Sequence, residues 1–206
     1  MKSAHALLAL FATGGLSIAS AAEPDYSYCT VCHGAQGNGN AAIHAPKIAG
    51  IESWYLKRQL EHFRGGLRGT QPADVPGGEM QPVGAALDDE AIEKIAVFVG
   101  SFQPQRPAAT VAGNAKRGRD LYSSCAGCHG SRAEGRMALQ APALAGQTDW
   151  YLVTQLERFR AGERGFSAQD EPGSQMRAAA AALPDVAAIR DIVAYLNSLP
   201  AGRSRT

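Results

Sequence analysis

Apolar residues recur at helical spacing in two distant parts of the chain. Leu56, Leu60 and Phe63 are four and three residues apart, as are Leu152, Leu156 and Phe159, so each set lines one face of an α-helix. Ser53 and Asp149 stand ahead of these runs as candidate N-caps, and Gly65-Gly66 and Gly162 end them. A further helix in each half starts near Asp88 or Asp185, where acidic side chains suit the positive helix terminus. It carries Ile92, Ile95 and Val99, or Ile189, Ile192 and Leu196, on one face. Pro104 and Pro200 close these helices. Nowhere do apolar and polar residues alternate as in a strand, so the expected fold is all-α.

The two halves are copies. Shifting the sequence by 96 positions places Ala45-Pro46 on Ala141-Pro142, Trp54-Tyr55-Leu56 on Trp150-Tyr151-Leu152, and Gln59-Leu60-Glu61 on Gln155-Leu156-Glu157. The same shift brings Met80 onto Met176, and one extra residue in the second copy aligns the last helices. The expected organisation is a first domain over residues 23–103, a linker over 104–113 and a second domain over 114–206. The linker carries two prolines and a closing glycine, which makes it an extended connector able to run across one small domain. That reach permits the domains to lie side by side.

Residues 1–22 have the parts of a secretory signal peptide: Lys2, a short apolar stretch and the small residues Ala19-Ser20-Ala21-Ala22, with cleavage expected after Ala21 or Ala22. The chain is therefore expected in the periplasm. The overall formal charge of +1 argues against a nucleic-acid partner. The halves differ, with six Lys/Arg against ten Asp/Glu over residues 23–103 and thirteen against nine from Pro104 onward. Such a dipole can orient docking to charged partners.

Four cysteines in an exported protein suit disulfides or a zinc site, but neither explains a histidine directly after the second cysteine in both copies. Cys29-x-x-Cys32-His33 and Cys125-x-x-Cys128-His129 are the arrangement that covalent haem c requires. Two thiols one helical turn apart add to the vinyl groups, and the next residue places an imidazole under the iron. Two haem c groups are therefore expected, held by Cys29, Cys32, Cys125 and Cys128, with His33 and His129 as axial ligands. For the opposite axial position Met80 and Met176 each lie 47 residues after their histidine. Met137 follows His129 by only eight residues and has no counterpart. His44 and His62 align with Gln140 and Arg158, so they do not fit a shared scheme and read as surface or structural histidines. With the ligation positions filled, no catalytic residues are expected, and the chain reads as an electron carrier rather than a peroxidase-like enzyme.

The haem motif, the Ala-Pro and Ala-Gly pairs, Trp-Tyr-Leu-x-x-Gln-Leu-x-x-Phe-Arg, the distal Met and the final helix, all present twice, resemble the cytochrome c4 family over almost the whole mature chain. The resemblance implies two tandem cytochrome c domains, each around one covalently bound haem c and related by a pseudo-twofold axis. It also implies a periplasmic carrier, often associated peripherally with the membrane. A quinol:cytochrome c reductase or a dehydrogenase would be its donor and a terminal oxidase its acceptor, or it would be the cytochrome subunit of a dehydrogenase complex. By the same resemblance the carbonyls of Pro46 and Pro142 accept the proximal imidazole hydrogen bond, and Trp54, Tyr55, Trp150 and Tyr151 line the haem edges or pack as core. One departure stands out. Residues 114–122, with a capping Asn114 and Leu121-Tyr122, resemble the family's first helix, whereas their counterpart over 18–26 falls mostly in the signal peptide.

Overall fold

A computed structural model describes residues 26–200; the expected signal peptide lies outside the described residues. Among the described residues nine α-helices follow in order: α1 (Ser27–His33), α2 (Ser53–Arg64), α3 (Val75–Ala85), α4 (Asp89–Gly100), α5 (Ala115–Tyr122), α6 (Ala126–His129), α7 (Asp149–Ala161), α8 (Glu171–Ala181) and α9 (Val186–Ser198). Among the described residues the β pairing consists of two isolated bridges, Asn40 with Ala45 and Arg136 with Ala141, themselves related by the 96-residue shift. The all-α expectation holds.

The predicted apolar faces are the core. Leu56, Leu60, Ile92, Ile95 and Val99 bury together in the first domain, and Leu152, Ile189, Ile192 and Leu196 do so in the second. Each such side chain contributes about 1.5–3 kcal/mol relative to exposure. The helices α4 and α9 are capped as their acidic starts suggest: Asp88 accepts from the Ala91 amide at 2.8 Å and Asp185 from that of Ala188 at 2.6 Å.

Ser53 and Asp149 are not N-caps. Both are the first helical residues, preceded by Glu52 and Thr148, neither of which caps with its side chain. Their side chains have other partners. Ser53 faces Gly100, where a Cβ would collide with its hydroxyl. At the equivalent positions Asp149 accepts from Asn197 at 3.1 Å and also takes the linker amides of Thr110 and Val111 at 2.5 and 2.7 Å. Residues 103–114 form no helix, and besides this anchor Arg106 donates to the carbonyls of Asn197 and Leu199.

Sequence periodicity missed two helices, α3 and α8. Their Pro and Gly content reads as turn, yet Asp74 and Asp170 cap them by accepting from Gly77 and Gly173 at 2.9 Å, and Pro sits in the first turn of each, where no N–H is needed. Gly77 and Gly173 are required there because a Cβ would strike the capping carboxylate. These two helices carry Met80 and Met176.

Candidate functional site

The Cys-x-x-Cys-His segments form α1 and α6, whose short turns place the cysteines and the histidine on the wall of one cavity each. Cys29, Cys32, His33 and Met80 line a cavity of about 1040 Å³, and Cys125, Cys128, His129 and Met176 line one of about 340 Å³. Cys32 and Cys128 are exposed, with Cys29 and Cys125 half-buried behind them. In both copies the imidazole is fixed from behind: Nδ1 of His33 donates to the Pro46 carbonyl and Nδ1 of His129 to that of Pro142, each at 2.8 Å. With Nδ1 carrying the proton, Nε2 presents its lone pair to the cavity. Burial pushes both imidazoles below their ordinary value, against the opposing pull of the carbonyl, so both are neutral at neutral pH. Opposite His129, the Met176 sulfur lies 3.4 Å from Nε2; Met80 is half-buried against the first-domain core.

The remaining sulfur and nitrogen candidates lie elsewhere. Met137 is 66% exposed on a short 3-10 turn. His44 is exposed, with its ring 6.1 Å from that of Trp150. His62 is half-buried at the interface between the domains, facing Asp170. Among the described residues no group of three or more His, Cys, Asp or Glu side chains converges to hold a metal ion, so the zinc arrangement has no donor set. Of the four aromatics, Tyr55 and Tyr151 line both cavities and Trp150 lines the first; Trp54 lies under the Arg58 guanidinium, 5.2 Å from its ring centroid.

Two further residues, which the motif reading passed over, stand where the cavities meet. Arg68 donates to Gln59, Tyr151 and Gln155, and Arg164 donates to Gln155, Tyr55 and Gln59, at 2.7–3.2 Å. Every member of one set maps onto the other by the 96-residue shift, so the interface is a pseudo-twofold one in which each arginine reaches the other domain. Both arginines are buried, and among the described residues neither pairs with a carboxylate within ion-pair distance and Nε of Arg68 has no hydrogen-bond partner. Buried guanidinium groups stay charged and call for an anion. Arg68 lines the first cavity and Arg164 the second. The signal in the sequence was the repeated Arg-Gly at 68–69 and 164–165.

Cavities of ligand size, paired cysteines on their rims, oriented imidazoles and uncompensated buried arginines fit a covalently bound haem with its two carboxylates. Comparison with known proteins agrees. Residues 26–103 and 115–200 each match the family described as Cytochrome c. The chain is 30% identical to cytochrome c4 of Azotobacter vinelandii, over 87% of this chain and 89% of that one. It is 34% identical to a thiosulfate dehydrogenase electron acceptor of Stutzerimonas stutzeri, over 76% and 74% of the respective chains. The crystal structure of reduced cytochrome c4 from Pseudomonas stutzeri superposes with a TM-score of 0.69 at 30% identity, covering 85% of this chain and 95% of that one. The chain therefore belongs to the cytochrome c family, as a dihaem member of its cytochrome c4 group, and it transfers electrons through two covalently attached haem c groups.

Proposed function

We propose that His33 with Met80, and His129 with Met176, are the axial ligands of the two haems. In this reading the chain is a periplasmic carrier that takes electrons from a quinol:cytochrome c reductase or a dehydrogenase and delivers them to a terminal oxidase. When bound, each haem supplies a reversible one-electron iron couple. The protein's own groups do the rest. The thiols of Cys29, Cys32, Cys125 and Cys128 form the thioether links, the Pro46 and Pro142 carbonyls hold the imidazoles, and Arg68 and Arg164 offer N–H groups to the haem carboxylates. With four nitrogens from the haem ring and a His and a Met from the chain, each iron would have no position left for a substrate, so the chain would be a carrier and not an enzyme.

The observation that carries this reading is the meeting of the two cavities. Tyr55, Gln59, Tyr151 and Gln155 line both, so an electron that enters one domain has a short, rigid route into the other. Among the described residues no helix is long and apolar enough to cross a membrane, and attachment to a membrane would be peripheral. A second reading, the electron-accepting partner of a periplasmic dehydrogenase, is favoured by the 34% identical relative named thiosulfate dehydrogenase electron acceptor.

A pull-down from native membranes followed by redox titration of the captured material separates the two. Salt-sensitive, substoichiometric capture of oxidase or reductase subunits supports the carrier. A stoichiometric dehydrogenase that survives high salt replaces it with the second reading. Ligation is tested by the weak far-red band of methionine-bound ferric haem, which Met80→Ala and Met176→Ala should each halve; a band that neither variant changes rejects the methionines.

A further inference from the structure

The capping carboxylates of the two methionine helices are each met by a side chain from the other domain. Arg158 of α7 pairs with Asp74, the cap of α3, and His62 of α2 faces Asp170, the cap of α8, with Nδ1 at 3.7 Å from the carboxylate. These are the same contact in pseudo-twofold register, since His62 and Arg158 are 96 residues apart, as are Asp74 and Asp170. The chemistry differs. A guanidinium keeps its charge at every physiological pH, whereas an imidazole does not. Asp170 lines the second haem cavity, and Asp74 lines the first.

We propose that His62 is a positioning residue for the second haem: acting through Asp170, it ties that haem's reduction potential to pH, while Arg158 holds the first haem's potential fixed. The inference rests on the dihaem carrier reading.

The sign follows from charge. Ferric haem carries one more positive charge than ferrous haem. With His62 protonated, the Asp170 carboxylate is compensated and the ferric form gains little from it. With His62 neutral, Arg58 and Arg164 still face the carboxylate but less of its charge is offset, so it stabilises the ferric form more and the potential falls. The second haem's potential is therefore higher in mild acid and drops as pH rises through the titration of His62. By linkage, an electron taken by the ferric iron from the carrier's donor raises the affinity of His62 for a proton taken from solvent. The groups facing His62 set where this happens. Asp170 favours its charged form, while Arg58 on its own helix, and Arg164 and Arg68 in the loops after α7 and α2, disfavour it. Burial, the largest influence, acts with the arginines and places the titration below the ordinary imidazole range. The potential difference between the haems, and with it the downhill direction between domains, then changes with acidity.

The test is a redox titration of the holoprotein between about pH 5 and pH 8, on the wild type, His62→Arg, His62→Gln and Arg158→His. Haem carboxylates titrate alike in all four, so the differences between proteins are what is read. In the wild type one midpoint falls more steeply with pH than the other. His62→Arg should hold that midpoint at its acid value and His62→Gln at its alkaline value. Arg158→His should confer the same pH dependence on the other midpoint. Proton NMR of the wild type should show the His62 titration shifted upward on reduction. Equal slopes in wild type, His62→Arg and His62→Gln overturn the proposal, as does a His62 titration indifferent to redox state. The far-red band read on the same samples keeps the two readings apart: its absence from the wild type rejects methionine ligation, while the slopes still decide the role of His62.

Discussion

In the second domain α5 lies across α9 so closely that a Cβ on Gly118 would run into the Asp191 carbonyl, and the Asp191 carboxylate takes the Asn114 amide at 2.7 Å and Arg117 at 2.8 Å. In the first domain the position equivalent to Asp191 is Lys94, which pairs with Glu90 on its own helix at 2.5 Å. The outer side of α4 has lost the acceptor that would hold a crossing helix. Instead Tyr26, Phe98 and Phe102 pack edge to face, with centroids 4.9–6.0 Å apart. Against this, Gln59 and Gln155, Arg68 and Arg164, Tyr55 and Tyr151, and the two prolyl carbonyls repeat atom for atom. The duplicated positions are those that face a haem cavity or the other domain. Divergence marks the outer surfaces, and it also reaches the interface: Lys47 donates to the Gly146 carbonyl where the second domain has Ala143, Arg58 donates to Gln140 where it has Thr154, and His62 faces Asp170 where Arg158 meets Asp74.

The largest effect should come from breaking what the domains share. Replacing both haem-bearing cysteines in one domain, Cys29→Ala/Cys32→Ala or Cys125→Ala/Cys128→Ala, leaves a cavity of about 1040 or 340 Å³ without its group. Without the group the apolar side chains that line the cavity have nothing to pack against, and a domain has only about 5–15 kcal/mol of stability to lose. Each double variant should carry one haem and lose the far-ultraviolet helical signal of the domain concerned. A native-like spectrum from either variant would show that the helices pack without haem and that the likeness between the two sites is not a matter of stability.

A smaller effect should separate the domains. Asp149 is buried, and it holds the linker through Thr110 and Val111 as well as Asn197; Ser53, its equivalent, holds no linker. Asp149→Ala should cost about 3 kcal/mol, from charged hydrogen bonds lost and donors left unpaired, and Ser53→Ala no more than about 0.5 kcal/mol. Burial alone would raise the Asp149 carboxyl, but the donors from Thr110, Val111 and Trp150 hold it below the ordinary carboxylate range. Its contribution is therefore present above that range and is lost as pH falls through the depressed value. Acid unfolding followed by second-domain amide signals should show this loss in the wild type and not in Asp149→Ala. Equal acid sensitivity in both proteins would mean that the linker is held by something else.

Much of this was legible in the sequence because a repeat supplies its own control. The 96-residue shift paired the cysteines, histidines and methionines proposed to hold the haems and the apolar faces of α2, α4, α7 and α9, while α5 was legible from its own Asn114 cap, whose side chain accepts from the Lys116 and Arg117 amides. What stayed hidden depended on tertiary partners. The helices α3 and α8 look like turns until Asp74 and Asp170 are seen to cap them. Asp149 looks like a cap until the linker arrives beside it. Arg68 and Arg164 look like surface cations in loops, because nothing local shows that the other domain buries them. Asp170 and His62 are 108 residues apart, and only the pseudo-twofold packing brings them together.

The smallest effect bears on the outer surfaces, where the domains diverge. Asp191→Ala removes a nearly buried acceptor from the N-terminus of α5 and should cost about 1–3 kcal/mol, seen as faster amide exchange in α5 and α9 with the first domain unchanged. Lys94→Ala breaks only an exposed pair one helical turn apart, with the lysine side chain 54% accessible, and such pairs contribute about 0.3–0.5 kcal/mol at most. Exchange in α4 should therefore be indistinguishable from wild type. If Lys94→Ala destabilises α4 as much as Asp191→Ala destabilises α9, then Lys94 holds a neighbouring segment after all, and the first domain closes over its last helix by a different contact and not by the aromatic cluster of Tyr26, Phe98 and Phe102.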